Sequence, residues 1–414
     1  MLQSKIFGST LIIAGTTIGA GMLALPLASA GIGFSTALLI MLALWALMTY
    51  TALLMLELHQ HAPANATLHT LTKQFLGYKG QWIAGFAMLF LFYALCAAYI
   101  AGGGSQFSER ISQLAGIQLT ETESTVIFTL IVSFVVTIGT KTVDHFNRLL
   151  FLAKLVAMVT VLFFLTPNVT ESYLLDMPLK QGLVIAAIPV IFTSFGFHGS
   201  IPAIVNYLDG DTRALKKAII FGSAIPLVIY IFWQIVTLGV ISQEELSHHH
   251  RLSALIGALS SKVHFSQLNQ IIGVFADLAL LTSFLGVSLG LFEFLGDTLK
   301  KKTGGKQNRI YPALITFIPP MCFALFYPQG FIMALGYAAI ALTILAIFLP
   351  VAMIHKVRRA HDSENTTTQA ANINSGATYQ VRGGKSVLNL VTLAGILIIF
   401  AQCLITLNVL PSLG

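Results

Sequence analysis

Charge is what this chain lacks. Only 9% of its 414 residues are Asp, Glu, Lys or Arg, against about 25% in a soluble domain. Hydrophobic residues make up 56%, and the mean hydropathy is +0.82. That balance excludes a water-soluble fold. Cysteine is scarce as well. Cys96, Cys322 and Cys403 all fall inside apolar segments, which excludes a disulfide framework. No Cys, His or carboxylate group has the spacing of a metal site. His248-His249-His250 has no acidic or Cys neighbours of that spacing, and reads as a solvated polar run sooner than a metal ligand. No nucleophile–base pair sits at membrane depth, so neither an enzyme nor a cofactor nor a resident metal is expected. The net charge of +7 does not point to nucleic acid, because the basic residues fall in short loops. No cleavable leader is expected either: the first apolar segment is too long for one.

What is present is a series of long apolar runs. A spanning helix needs about 20 such residues. Eleven segments qualify, at 6–30, 33–56, 82–104, 124–140, 146–166, 181–206, 216–241, 267–296, 310–327, 330–354 and 387–409. The expected fold is therefore an all-α polytopic membrane protein. Lys and Arg set its orientation. With the N-terminus in the cytoplasm, eighteen of the 23 lie inside, and Arg110, Lys180, Arg251 and Lys262 lie outside. The C-terminus is then periplasmic. Lys154 remains, within the fifth span. Residues 361–384, rich in Asn, Thr, Ser, Gly and Ala, read as a flexible cytoplasmic loop. Glu57 and Glu293 are expected to reach cytoplasmic water, as are Asp209, Asp211, Arg213 and Lys216.

Two spans carry a flaw at their centres. In the first, Gly15-Thr16-Thr17-Ile18-Gly19-Ala20-Gly21-Met22 places three glycines and two threonines at mid-membrane. Glycine weakens a helix by about 1 kcal/mol relative to alanine, and Thr hydroxyls compete for backbone partners. The pattern reads either as a small-residue packing face or as a discontinuous helix. Irregular backbone at that depth requires burial in protein or a cavity. In the sixth span, Thr193-Ser194-Phe195-Gly196-Phe197-His198-Gly199-Ser200 lies between Pro189 and Pro202. Spans one and six open two sets of five, and an odd number inverts the second set. Interrupted helices at matching places in inverted halves point to a secondary transporter site. The chain thus divides into a first repeat (1–166), an inverted second repeat (181–354), a loop (355–386) and an eleventh span (387–414).

The chemistry of two breaks suits a zwitterion. The half-helix beginning at Ala20 and Gly21 offers N–H groups to a carboxylate. Carbonyls of Thr17, Ile18 and the Ser194–Phe197 stretch accept from an ammonium. Thr16, Gly19, Thr193 and Gly196 complete the two breaks. Phe195 and Phe197 either contact an aromatic side chain or pack against lipid. His198 reads as a proton relay, a donor to a substrate hydroxyl, or a satisfied packing residue. Tyr93 and Tyr99 point about 120° apart on their helix, so at most one faces a cavity, and Tyr99 is nearer the outer half. Ionisable residues at depth are functional by default. Lys154 either snorkels to the inner face or cycles a proton, standing where a sodium ion would otherwise sit. Asp277, near the middle of span eight, carries a proton, pairs with a cation, or bonds a neighbouring helix. Thr282 and Ser283 offer oxygens to a cation or bond back to their own helix.

Several stretches carry a resemblance. They are Gly15–Pro26, Ala187–Ser200, Phe275-Ala276-Asp277-Leu278-Ala279-Leu280 and Ala324-Leu325-Phe326-Tyr327-Pro328. Through them the chain resembles the bacterial hydroxy and aromatic amino acid permeases. The resemblance implies the five-plus-five inverted repeat (LeuT-type) of the amino acid–polyamine–organocation superfamily, set in the inner membrane. It implies symport of L-tyrosine or a related aromatic amino acid with protons. It also implies that Lys154 replaces a sodium site between spans one, five and eight, with Thr282 and Ser283 on the span-eight side.

Overall fold

In the computed structural model, residues 2–248, 251–262, 266–303, 309–367 and 379–411 are described. Among them there are helices and no strand. The helices are α1 (Leu2–Thr17), α2 (Gly21–Ala28), α3 (Phe34–His59), α4 (Leu68–Ala115), α5 (Glu121–Ile138) and α6 (Thr140–Leu165). There follow α7 (Glu171–Leu175), α8 (Leu183–Ser194), α9 (Ile201–Tyr207), α10 (Thr212–Val240), α11 (Gln243–Ser247) and α12 (Leu252–Ser261). The last are α13 (Ser266–Thr303), α14 (Ile310–Phe326), α15 (Phe331–Thr343), α16 (Leu349–Thr367) and α17 (Gly384–Thr406). Among the described residues, nine helical stretches are long and apolar enough to cross a membrane, ten if α1 and α2 form one bent span. The shorter α14 is apolar over 17 residues.

Local chemistry places the ends. The Asp211 carboxylate accepts from the N–H groups of Arg213 and Ala214 at the start of α10. Thr120 and Glu123 form a reciprocal capping pair at the start of α5. Each such cap is worth about 1 kcal/mol. The third span is longer than the expected 82–104: α4 joins two helices across a kink at Gly77, and the second runs from 78 to 115. Gly77 sits at φ 72°, a conformation glycine adopts without penalty. Arg110, expected in an outer loop, therefore lies within α4.

The helices sort into two packed groups. In one, α1 packs on α10, α2 on α8, and α3 on both α8 and α10. In the other, α4, α5, α13 and α14 all pack on one another, with α6 against α13. Lys154 and Ser283, from the second group, meet the break in the first segment where these groups touch.

Two expectations for the N-terminal face need correction. Glu57 does not reach water. It is 3% exposed, and its carboxylate accepts from Arg358 Nε and Nη2, both at 2.8 Å. The proposed flexible loop is partly ordered. Residues 361–367 continue α16, since no glycine or proline interrupts the chain between Pro350 and Gly376. Further on, Val381 N–H donates to Glu57 Oε2 at 2.8 Å, and Tyr379 N–H donates to Gln60 Oε1 at 2.9 Å. Residues 368–378 lie outside the described residues, as do His249 and His250. Asp209 does stay in water, at 82% exposure, beside Lys5. Removing one partner of a buried ion pair strands the other. Glu57→Ala is therefore expected to destabilise the protein by about 3 kcal/mol, measured as thermal unfolding in detergent. An unchanged melting temperature would show that the pair contributes nothing.

Candidate functional site at the two helix breaks

The first apolar segment is broken. The axis turns by 51° between Gln3–Thr17 and Gly21–Ala28, and residues 18–20 are not helical. The reason is local. Thr16 and Thr17 turn their hydroxyls back to the carbonyls of Ile12 and Ile13, and Gly19 follows. The sixth segment is broken too. Phe195–Phe197 separates α8 from the turn His198–Ser200, and Pro202 opens α9.

Glycine is required here by close approach. A Cβ on Gly21 would lie 3.2 Å from the Cα and Oγ of Ser194, so the two breaks touch. A Cβ on Gly19 would lie 2.6 Å from Ser283 Oγ, closer than any Cβ contact tolerates.

The polar groups freed by the breaks have protein partners. Lys154 is 2% exposed; it does not snorkel. Its Nζ donates to the Ile18 carbonyl at 2.8 Å and to Thr282 Oγ1 at 3.3 Å. It also sits 4.6 Å from the centre of the Phe151 ring, a cation–π contact worth about 2 kcal/mol when desolvated. Among the described residues it forms no ion pair. Ala20 N–H donates to Ser283 Oγ at 2.9 Å. Ser194 Oγ donates to the Gly21 carbonyl at 3.0 Å. Thr17, Ile18, Gly19, Ala20, Gly21, Ser194, Lys154, Thr282 and Ser283 thus form one cluster.

Sequence reasoning missed the residue that joins the breaks. Tyr230, in the middle of α10, is fully buried. Its hydroxyl lies 2.6 Å from the Thr17 carbonyl and 2.9 Å from the Ser194 carbonyl. Nothing in the sequence around it separates it from an ordinary packing tyrosine. Phe195 stacks edge-on against it at 5.3 Å, and Tyr99 of α4 is buried.

Other expected site residues lie apart. The Thr16 side chain is exposed. The Thr193 hydroxyl bonds the carbonyls of Pro189 and of Leu335 in α15. Gly196 faces Leu342. His198 Nε2 shares a hydrogen with Thr51 Oγ1 of α3 at 2.8 Å, and Phe197 is buried with its ring 5.1 Å from that imidazole. Tyr93 donates to the Ile315 carbonyl. Asp277 does not join Lys154: its carboxylate accepts from Arg110 Nε at 2.9 Å.

The two helix groups share this cluster unequally. Tyr230, Thr17 and Ser194 all belong to the α1–α2–α8–α10 group, so their contacts hold that group together. The bonds Lys154–Ile18 and Ser283–Ala20 cross to the other group, and motion between the groups must break them. Gly19→Ala is expected to push the Ser283 hydroxyl off the Ala20 N–H. The loss is about 1 kcal/mol of stability. Gly19→Ala combined with Ser283→Ala should recover part of it. A double-mutant cycle on thermal unfolding reads the coupling, and strictly additive effects would deny the contact.

The chain as a whole is similar to known proteins. The chain matches the tryptophan/tyrosine permease family over residues 2–402. The tyrosine-specific transport system 1 of Haemophilus influenzae is 43% identical over 99% of both chains. Tyrosine-specific transport system 2 of the same bacterium is 41% identical, again over 99% of both. Its tryptophan-specific transport protein is 35% identical over 97% of both. With apolar helices throughout and similarity running end to end, the chain belongs to the tryptophan/tyrosine permease family and is a multi-pass membrane permease, not an enzyme.

Proposed function

We propose that this permease imports L-tyrosine across the bacterial inner membrane in symport with protons. The observation that carries the coupling is Lys154, a buried ammonium bonded to the carbonyl of a broken helix and to Thr282. No sodium ion is needed where that charge sits. Tyrosine as substrate is supported by the higher identity to the tyrosine-specific systems than to the tryptophan-specific one.

The architecture in this reading is eleven spans, α14 included, arranged as five plus five with inverted topology and α17 added. The N-terminus is cytoplasmic and the C-terminus periplasmic, following the positive-inside rule. The substrate carboxylate takes the N-terminus of α2, replacing Ser283 at the Ala20 N–H. The ammonium uses the remaining lone pairs of the Thr17 and Ile18 carbonyls, since a carbonyl accepts twice. When Lys154 gives up its proton, its charge-assisted bond to Ile18 weakens. Both contacts that cross between the helix groups are then released, and the α1–α2–α8–α10 group rocks as one body.

Purified protein in proteoliposomes tests this. Labelled tyrosine should accumulate under an inward proton gradient and stop when a protonophore is added. Replacing sodium by choline should change nothing, and sodium-dependent uptake would overturn the coupling. The second reading, a tryptophan or broad aromatic carrier, is favoured by the tryptophan-specific relative. A competition panel decides it: excess tryptophan or phenylalanine abolishing uptake as well as tyrosine does would replace tyrosine specificity.

A further inference from the structure

A second polar feature lies well away from the breaks. On the face opposite the N-terminus, a cavity of about 380 Å³ opens between α4, α12 and α13. That is within the roughly 300–1,000 Å³ typical of small-molecule sites. Its walls include Gln106, Glu109 and Arg110 from α4, Ile256 from α12, and Gln270 and Gly273 from α13. None of these belongs to the Lys154 cluster.

Two details point to a ligand. Gln106 is 4% exposed, and its buried Nε2 has no hydrogen-bond partner among the described residues. A buried amide donor left unpaired costs about 1–3 kcal/mol, so it calls for an acceptor that the described residues do not provide. Beside it, Asp277 holds Arg110 by its Nε, while the Nη atoms lie against Gly273. Any Cβ at that position would collide with them. The glycine is thus what lets the guanidinium fit. Gln106 and Arg110 together are donors suited to a carboxylate. Glu109, on the same helix, would repel a simple anion but attract an ammonium.

We propose that this cavity is a second amino-acid site. The carboxylate is held by Gln106 and Arg110 and the ammonium by Glu109, on the periplasmic side of the breaks. Both α4 and α13 belong to the group that does not carry the broken helices. The site therefore survives the rocking motion and can hold a substrate while the first is carried across. The choice of tyrosine as ligand, and the periplasmic placement, rest on the function proposed above.

Equilibrium binding of labelled L-tyrosine to the purified full-length protein tests it. Wild-type protein is expected to bind two molecules per chain. Gln106→Leu and Gly273→Val should each bind one, and Gly21→Val, whose side chain would push against Ser194 and spread the touching breaks, should bind the other one. Gln106→Leu removes an unpaired buried amide, so its melting temperature should equal or exceed that of wild type. A purely structural Gln106 would give that thermal result with binding unchanged. One molecule per wild-type chain, retained in Gln106→Leu and lost in Gly21→Val, would overturn the proposal. No tyrosine binding to wild-type protein would refute tyrosine as the substrate. Each other amino acid is then measured the same way, and the site is overturned if none loses binding on Gln106→Leu.

Discussion

Lys154→Arg is expected to abolish gradient-driven accumulation as completely as Lys154→Ala does. The arginine keeps the charge but never releases its proton. The alanine has none to release. At one proton per substrate, a gradient of one pH unit supplies about 1.4 kcal/mol, an accumulation ratio of about tenfold. Wild-type proteoliposomes should approach that ratio, and both variants should stay near unity. Lys154→Ala should still exchange labelled for unlabelled tyrosine, because Thr17, Ile18 and the α2 N-terminus remain. Concentrative uptake by either variant at the wild-type level would remove Lys154 from the coupling. Survival in arginine but not alanine would make it a fixed charge.

The second large effect is expected at Tyr230. Among the described residues, its hydroxyl is the one group that touches carbonyls of both breaks, at 2.6 and 2.9 Å. Tyr230→Phe keeps the ring, and with it the edge-on contact to Phe195. It leaves the carbonyls of Thr17 and Ser194 short of a donor in a buried place. A buried polar group stripped of its partner costs about 1–3 kcal/mol. The cost falls on the alignment of the two breaks, where the substrate must bind. Initial uptake should fall by about tenfold or more, with a smaller drop in melting temperature. Wild-type uptake with an unaltered melting temperature would reduce the hydroxyl to a bystander. The contrast with Ser283 adds a check. Tyr230 acts within one helix group and should affect binding, whereas Ser283 bridges the two groups and should chiefly affect the rate of reorientation.

Much of the fold was legible because it rests on local properties. Apolar length alone marked each span, and every expected segment overlaps a helix or a pair of helices. The breaks were legible because Gly19 and the Thr16-Thr17 pair weaken a helix wherever they stand. Helix ends were less so: α4 and α16 run well past their apolar stretches, since polar residues also continue a helix, and in α4 a further helix joins across the kink at Gly77. Lys154 was visible because a lone cation in an apolar run needs a reason. That Lys154, Thr282 and Ser283 stand near one another was an expectation of the resemblance, not of spacing, and the bond from Lys154 to the Ile18 carbonyl was not foreseen.

By itself, then, the sequence determined the membrane class, where the apolar helices lie, the two interruptions and the buried lysine. Each of these follows from the hydropathy or helix propensity of neighbouring residues. Tertiary structure alone decided the partners. Tyr230 and Thr17 stand 213 positions apart, Ser283 and Ala20 263, Arg358 and Glu57 301, and Asp277 and Arg110 167. Periodicity fixes which way a side chain points around its own helix, but not which other helix it meets. That is set by how whole helices pack, and it turned Glu57 inward, gave Asp277 to Arg110, and put a tyrosine hydroxyl between the two breaks.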